Sequence, residues 1–176
     1  EFEDSFYMMD QHAAHEKILY ERLMKQFHEK TYHSQMIMPP VILTLSLREE
    51  QILKENWKTF TALGYEIEEF GGKEYKVTGL PAELPTVIDC KQLLIELIDT
   101  IADESATHDP ERITEKVASM SCKAAVKGNN RLSFKEAEEL MRELMEAENP
   151  YNCPHGRPTL IKMTKYEIER KFKRIL

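Results

Sequence analysis

At 176 residues, 41% of them hydrophobic and 31% charged, the chain is long enough to bury a core as one domain or as a domain carrying an inserted subdomain. No apolar run approaches the ~18 residues of a membrane helix, and no basic start followed by an apolar stretch marks a secretory signal, so a soluble protein with no membrane partner is expected. The net charge of -7 excludes non-specific nucleic-acid binding by the whole surface, and three cysteines, Cys90, Cys122 and Cys153, are too few for a disulfide scaffold and predict a reducing, cytoplasmic setting.

The chain starts at Glu1 rather than Met and enters an apolar run, Phe6 to Met9, almost at once, as expected of a piece of something longer. That run reads as a strand. It gives way to DQHAAHEKILYE, residues 10–21, with helical periodicity from Gln11 to about Lys30. At 100° per residue, His12, Glu16, Leu19, Leu23 and Phe27 fall within a stripe about 80° wide, so a His and a Glu share the face that turns toward the core. A carboxylate there must be paired, hydrogen-bonded or bound to a cation. Two readings are open. Asp10, His12 and Glu16 converge on a divalent metal, or Asp10 is the N-cap while His12 and Glu16 bond to each other. Glu21 lies on the opposite side of the helix.

QMIMPPVILTLS, residues 35–46, is extended chain at a sheet edge, since Pro39 and Pro40 donate no ladder hydrogen bond; Met36, Ile37 and Met38 form a strand end or a docking peptide. Residues 47–104 read as an inserted α-β-β-α subdomain, structural or regulatory. It comprises a helix from Leu47 to Leu63, a turn at Gly64, strands 65–70 and 73–78 joined by Gly71-Gly72, and a helix from Lys91 to Asp103 with Cys90 at its entry. After the SATHDP loop comes a helix whose small residues Ala118, Cys122 and Ala125 share one stripe, with Gly128 near its end. Cys122 there is a packing residue or a ligand. Ser133 caps an amphipathic helix with Phe134, Ala137, Leu140, Met141, Leu144 and Met145 expected inward.

YNCPHGRPTL follows. Pro154 biases Cys153 toward extended geometry, which puts Cys153 and His155 on one side of the chain as a two-toothed ligand pair, and Arg157 projects a planar fork suited to phosphate. The last stretch, 157–176, holds seven basic and two acidic residues, a local charge of +5 against -12 for the rest. It is a one-sided phosphate-binding patch or a solvated helix end.

DQHAAHEKILYE, SCKAA, NCPHGRP and the terminal FKR, in that order, resemble the C-terminal domain of MutL-family DNA mismatch-repair proteins of the branch with endonuclease activity. The resemblance implies an α+β fold, with a dimerisation subdomain (a small sheet packed with helices) from residues 1–46 and 105–176 and a regulatory subdomain at 47–104. It further implies a homodimer that nicks double-stranded DNA in a metal-dependent way. Asp10, His12 and Glu16 match the family's DQHA-x-x-E motif and would be catalytic and metal-binding; Cys153 and His155 match CPHGRP as further ligands, with Cys122 a contributor and Glu21 supporting. Arg157 and the Phe172-Lys173-Arg174 end would approach the site or the DNA backbone phosphates. Zinc is the implied resting metal and manganese, or magnesium, the ion that supports nicking. Implied partners are the polymerase sliding clamp, a MutS-family mismatch-recognition protein and the N-terminal ATPase domain of the same full-length chain. The clamp peptide departs from its pattern: Ser34 stands where the family has Gln, with Gln35 one place late, so docking would fall to Gln35, Ile37 and Pro39. Two rivals belong to other classes: a non-catalytic dimerisation module stapled by structural zinc, and a metal-free peptide-binding scaffold.

Overall fold

The computed structural model describes residues 5–85, 88–104, 109–126 and 131–175, with only the backbone at 103 and 104. Gly128 and the first four residues of the SATHDP loop lie outside them. The elements run β1 (Ser5–Met9), α1 (Gln11–Glu29), β2 (Ser34–Thr44), α2 (Leu47–Glu55), α3 (Trp57–Ala62), β3 (Glu66–Gly71), β4 (Glu74–Pro81), α4 (Cys90–Glu104), α5 (Pro110–Ala125), α6 (Phe134–Glu146), β5 (Leu160–Thr164) and α7 (Lys165–Lys171). This is an α+β architecture of small antiparallel sheets and helices. It divides into two compact units, Glu1–Ile18 with Asn129–Leu176, and Leu19–Gly128.

In the first unit β1 pairs antiparallel with β5, two strands from the far ends of the chain, in the register Met9↔Leu160, Tyr7↔Lys162 and Ser5↔Thr164. Side chains alternate across a strand, so Met9 and Leu160 share a face. They pack against Ala14 and Ile18 of α1 and Leu140 and Leu144 of α6. The opposite face carries Phe6 and Met163, Met8 and Ile161; Phe6, Met8 and Ile161 are all exposed. Helix α6 starts with a full capping box between Ser133 and Glu136. Its inward stripe is narrower than its sequence suggests: only Leu140 and Leu144 are buried, while Phe134 and Met145 face solvent. An i, i+4 pair is all that this small core can take.

The second unit holds a three-stranded sheet in the order β2-β4-β3, with β2 at an edge as its prolines require. Its core gathers Leu43, Tyr75 and Val77 from the sheet, Leu53 and Phe60 from α2 and α3, Leu94, Leu97 and Ile98 from α4, and Val117, Ala118 and Cys122 from α5. Because β2 pairs with β4 along most of its length, and α5 packs on α3 and α4, the block 47–104 sits within a larger compact unit. One polar pair lies inside this core. The Tyr65 hydroxyl donates to Ser121 Oγ at 2.6 Å, which itself donates to the Val117 carbonyl at 2.6 Å, so burial that pushes the Tyr65 phenol upward costs no unmet hydrogen bond.

The helix expected over 47–63 is two helices. Asn56 breaks it, leaving helical geometry at φ -106° and ψ 13° while its Nδ2 donates back to the Ile52 carbonyl at 2.9 Å. Asn competes with a helix for its backbone groups in this way. The turn at Gly64 has φ +94°, and a Cβ built there would lie 2.8 Å from the His33 carbonyl oxygen; Gly72 in the β3–β4 hairpin has φ +60° but open space around it.

Gly64→Ala is therefore expected to destabilise the domain by about 2–4 kcal/mol, and Gly72→Ala by only about 1–2 kcal/mol from the left-handed backbone alone. Urea denaturation followed by circular dichroism checks the order; equal midpoints for the two variants would contradict it.

Candidate metal centre

The site is built at the start of α1. The Asp10 backbone N–H donates to the Thr159 carbonyl at 2.9 Å, and Asp10 Oδ1 accepts from the Ala13 N–H at 3.0 Å, so Asp10 caps the helix and ties it to the loop before β5. One and a half turns on, Glu16 points into the first unit with no solvent exposure. An uncompensated carboxylate there would cost several kcal/mol, about what is lost when a buried ion pair is broken.

Compensation comes from 139 to 141 residues away in sequence. Arg157 Nη2 donates to Glu16 Oε1 at 3.1 Å and to Oε2 at 3.0 Å, and His155 Nδ1 lies 3.3 Å from Oε2. His12 Nε2, on the same helix, lies 3.1 Å from Oε1. The Glu16 charge is the largest influence on Arg157, whose guanidinium is held charged still more firmly than usual. Cys153 is buried as well, and its side chain bonds to Arg157.

The loop that delivers these groups is closed on itself. Asn152 and Pro158 form an isolated bridge, the Cys153 N–H donates to the Arg157 carbonyl at 2.8 Å, and the Gly156 N–H donates to the Cys153 carbonyl at 2.9 Å. Gly156 makes the turn possible at φ +76°. The fully buried Thr159 fastens its base, with Oγ1 donating to the Pro150 carbonyl and the N–H donating to the Tyr151 carbonyl at 3.0 Å.

Glu16, Cys153 and His155 each offer one ligand atom, and the three lie within 4.8 Å of one another. A carboxylate, a thiol and an imidazole at such separations suit one divalent cation, whose bonds to sulfur and nitrogen run at about 2.0–2.3 Å. The donor set thus fits a metal. Among the expected ligands, Asp10 and His12 are outside this triple: Asp10 has one oxygen engaged in the cap, and His12, its side chain 40% exposed, stands beside Glu16.

Cys122 and Glu21 belong to the second unit, and Cys122 is fully buried on α5 in that unit's core. Lys173 and Arg174, just past α7, are exposed. In β2 the strand alternation turns Gln35 and Ile37 inward. The Gln35 amide donates to the carbonyls of Pro81 (3.0 Å) and Leu84, and Ile37 packs partly buried on the core, leaving Met36, Met38 and Pro39 exposed. The sequence places Arg157 at the site or at the backbone phosphates, but its pairing with Glu16 is not among those expectations. The signal was present: Cys153, His155 and Arg157 alternate at the spacing that places side chains on one side of an extended chain.

Residues 1–132 match the family model described as the MutL C terminal dimerisation domain. Over its whole length the chain is 53% identical to the DNA mismatch repair protein MutL of Agathobacter rectalis, of which it covers 27%, and 37% identical to that of Clostridium beijerinckii, of which it covers 26%. Over 98% of its length it is 39% identical to the MutL of Caldanaerobacter subterraneus subsp. tengcongensis, covering 29% of that protein. The chain thus spans between a quarter and a third of these relatives' length, and the alignments include the loop that carries Cys153, His155 and Arg157, which lies past the end of the family-model match. With more than half of the chain inside the family model and relatives matched end to end, this chain belongs to the MutL C-terminal dimerisation domain family.

Proposed function

We propose that this domain is a metal-dependent endonuclease that nicks double-stranded DNA in mismatch repair and that it works as a homodimer. The observation that carries the reading is the meeting of Glu16, Cys153 and His155 within 4.8 Å around a buried carboxylate. These three would hold the ion, zinc at rest by the softness of thiolate and imidazole, with manganese or magnesium supporting hydrolysis. A bound divalent ion supplies Lewis acidity that lowers the pKa of water and stabilises charge on a phosphodiester. Asp10 orients the start of α1, and its second oxygen faces the same task as Glu16. His12, on the solvent side of Glu16, can carry a proton to or from water. Arg157, Lys173 and Arg174 supply positive charge for backbone phosphates, against an acidic body that otherwise repels DNA.

Residues 47–104 serve in this reading as the regulatory subdomain, and Cys122 as a further contributor rather than a ligand of the central triple. A sliding clamp docks on β2 through its exposed side, Met36, Met38 and Pro39, more than through the inward Gln35 and Ile37. A MutS-family protein and the N-terminal ATPase domain complete the assembly, in the cytoplasm, where the three buried thiols stay reduced. The full burial of Glu16 also favours the rival role, a zinc staple with no hydrolysis.

For the dimer, the apolar outer face of β1 and β5 is the surface a second copy would cover. Phe6, Met8 and Ile161 are each 40–48% exposed on it, and a family defined by dimerisation needs such a patch.

Two outcomes are expected. Glu16→Gln, which keeps hydrogen-bonding capacity, and Asp10→Asn, which caps a helix as well as Asp, should each lower nicking of supercoiled plasmid with manganese and clamp by at least about a hundredfold while the dimer persists. Full activity in both would remove these two carboxylates from the hydrolysis, and absence of nicking by wild type would leave the zinc staple. A Met8→Asp, Ile161→Asp double variant should sediment as a monomer; a dimer retained at micromolar concentration would move the interface elsewhere.

A further inference from the structure

The Glu16 carboxylate receives four contacts from three side chains: His12 Nε2 on Oε1, His155 Nδ1 on Oε2, and Arg157 Nη2 on both. A carboxylate has about four lone-pair sites, so this set fills it. A cation gripped by Glu16 together with Cys153 and His155 needs some of those sites. An imidazole can turn a ring nitrogen lone pair to the cation and join its ligands. A guanidinium has no lone pair to offer and stays charged, so of the three groups on Glu16 only Arg157 cannot join and is repelled.

Resting on the metal-binding function proposed above, we propose that Arg157 and the divalent cation exchange on the Glu16 carboxylate, so that arrival of the metal turns the guanidinium outward to bind a DNA phosphate. The pair is asymmetric in a way that permits this. Glu16 is fully buried, whereas the Arg157 side chain is 47% exposed, so the arginine is the partner at the solvent edge. Gly156, immediately before it, has no atom within 4 Å of where a Cβ would sit, so that side of the loop is open space while the loop's own hydrogen bonds hold its backbone. Once turned outward, the planar fork matches a pair of phosphate oxygens. One side chain thus couples the two ligands, and by linkage phosphate strengthens metal binding by the same factor that metal strengthens phosphate binding. Glu16 keeps a cation beside it throughout, first the guanidinium and then the metal, so its burial is compensated on both sides of the exchange.

The test titrates the domain with zinc alone by calorimetry, and then a short fluorescent DNA duplex with and without zinc, for wild type, Arg157→Gln and Arg157→Lys. Removing the competitor in Arg157→Gln should tighten zinc binding by at least about fivefold. The zinc-dependent gain in duplex affinity, expected at about fivefold or more in wild type, should vanish in that variant and be reduced in Arg157→Lys, which keeps the charge without the fork. Should Arg157→Gln fail to fold, the NMR signal of the wild-type Arg157 Nε–Hε group gives the same answer: zinc should shift it to a solvent-exchanging position. Weaker or unchanged zinc binding in Arg157→Gln, a duplex gain that survives the substitution, or an Arg157 signal unmoved by zinc would overturn the exchange. Wild type that takes up no zinc would instead overturn the metal-dependent function itself.

Discussion

A carboxylate with no access to water is the constraint on which the site and its surroundings depend. Glu16 lies on a helical stripe that otherwise buries apolar groups, and its charge is tolerable only because Arg157, His155 and His12 are brought to it. Those partners cannot be supplied by α1 alone. The loop 150–159 is accordingly locked by its own hydrogen bonds, from Thr159 at its base to the Cys153–Arg157 pair at its mouth. The strand pair β1–β5 then sets the distance between loop and helix, because Met9 precedes the helix cap and Leu160 follows the loop. A buried charge that looks costly in isolation thereby specifies where two distant segments meet.

The two compact units differ in how they are stabilised. The second has an extensive core of large aliphatic and aromatic side chains, with the Tyr65–Ser121 pair inside it satisfied. Among the described residues, the first rests on a cluster of four buried apolar side chains, two of them from α6, and leaves an apolar sheet face uncovered. So small a core gains from any further burial, which the dimer interface proposed on that face would supply. Its polar content is correspondingly demanding, since a thiol, an imidazole, a guanidinium and a carboxylate lie together at the candidate metal centre.

Charge is distributed to match. The body is acidic, while the final twenty residues carry a surplus of five positive charges. Association with a polyanion through such a tail is one-sided, weak and salt-sensitive, which explains why a device that adds a cation at the right moment, or a partner that delivers DNA, would matter to a domain of this composition.

Much of this was legible in the residues. Helical spacing put His12 and Glu16 on one face, the Gly-Gly hairpin and the proline-interrupted edge strand stood where expected, and the ordered motifs identified the family. These are properties of local geometry and of residue order, which a linear chain carries without folding. Other features were decided only by packing at long range. That Phe134 and Met145 face outward, that Gln35 and Ile37 turn in, and that Arg157 is the counter-ion of Glu16 all depend on groups that come together through tertiary contacts. Periodicity states which face a side chain shares. Which partner waits on that face is set by the chain's closure in three dimensions, where a charge excluded from water takes the nearest opposite charge whatever its distance in sequence.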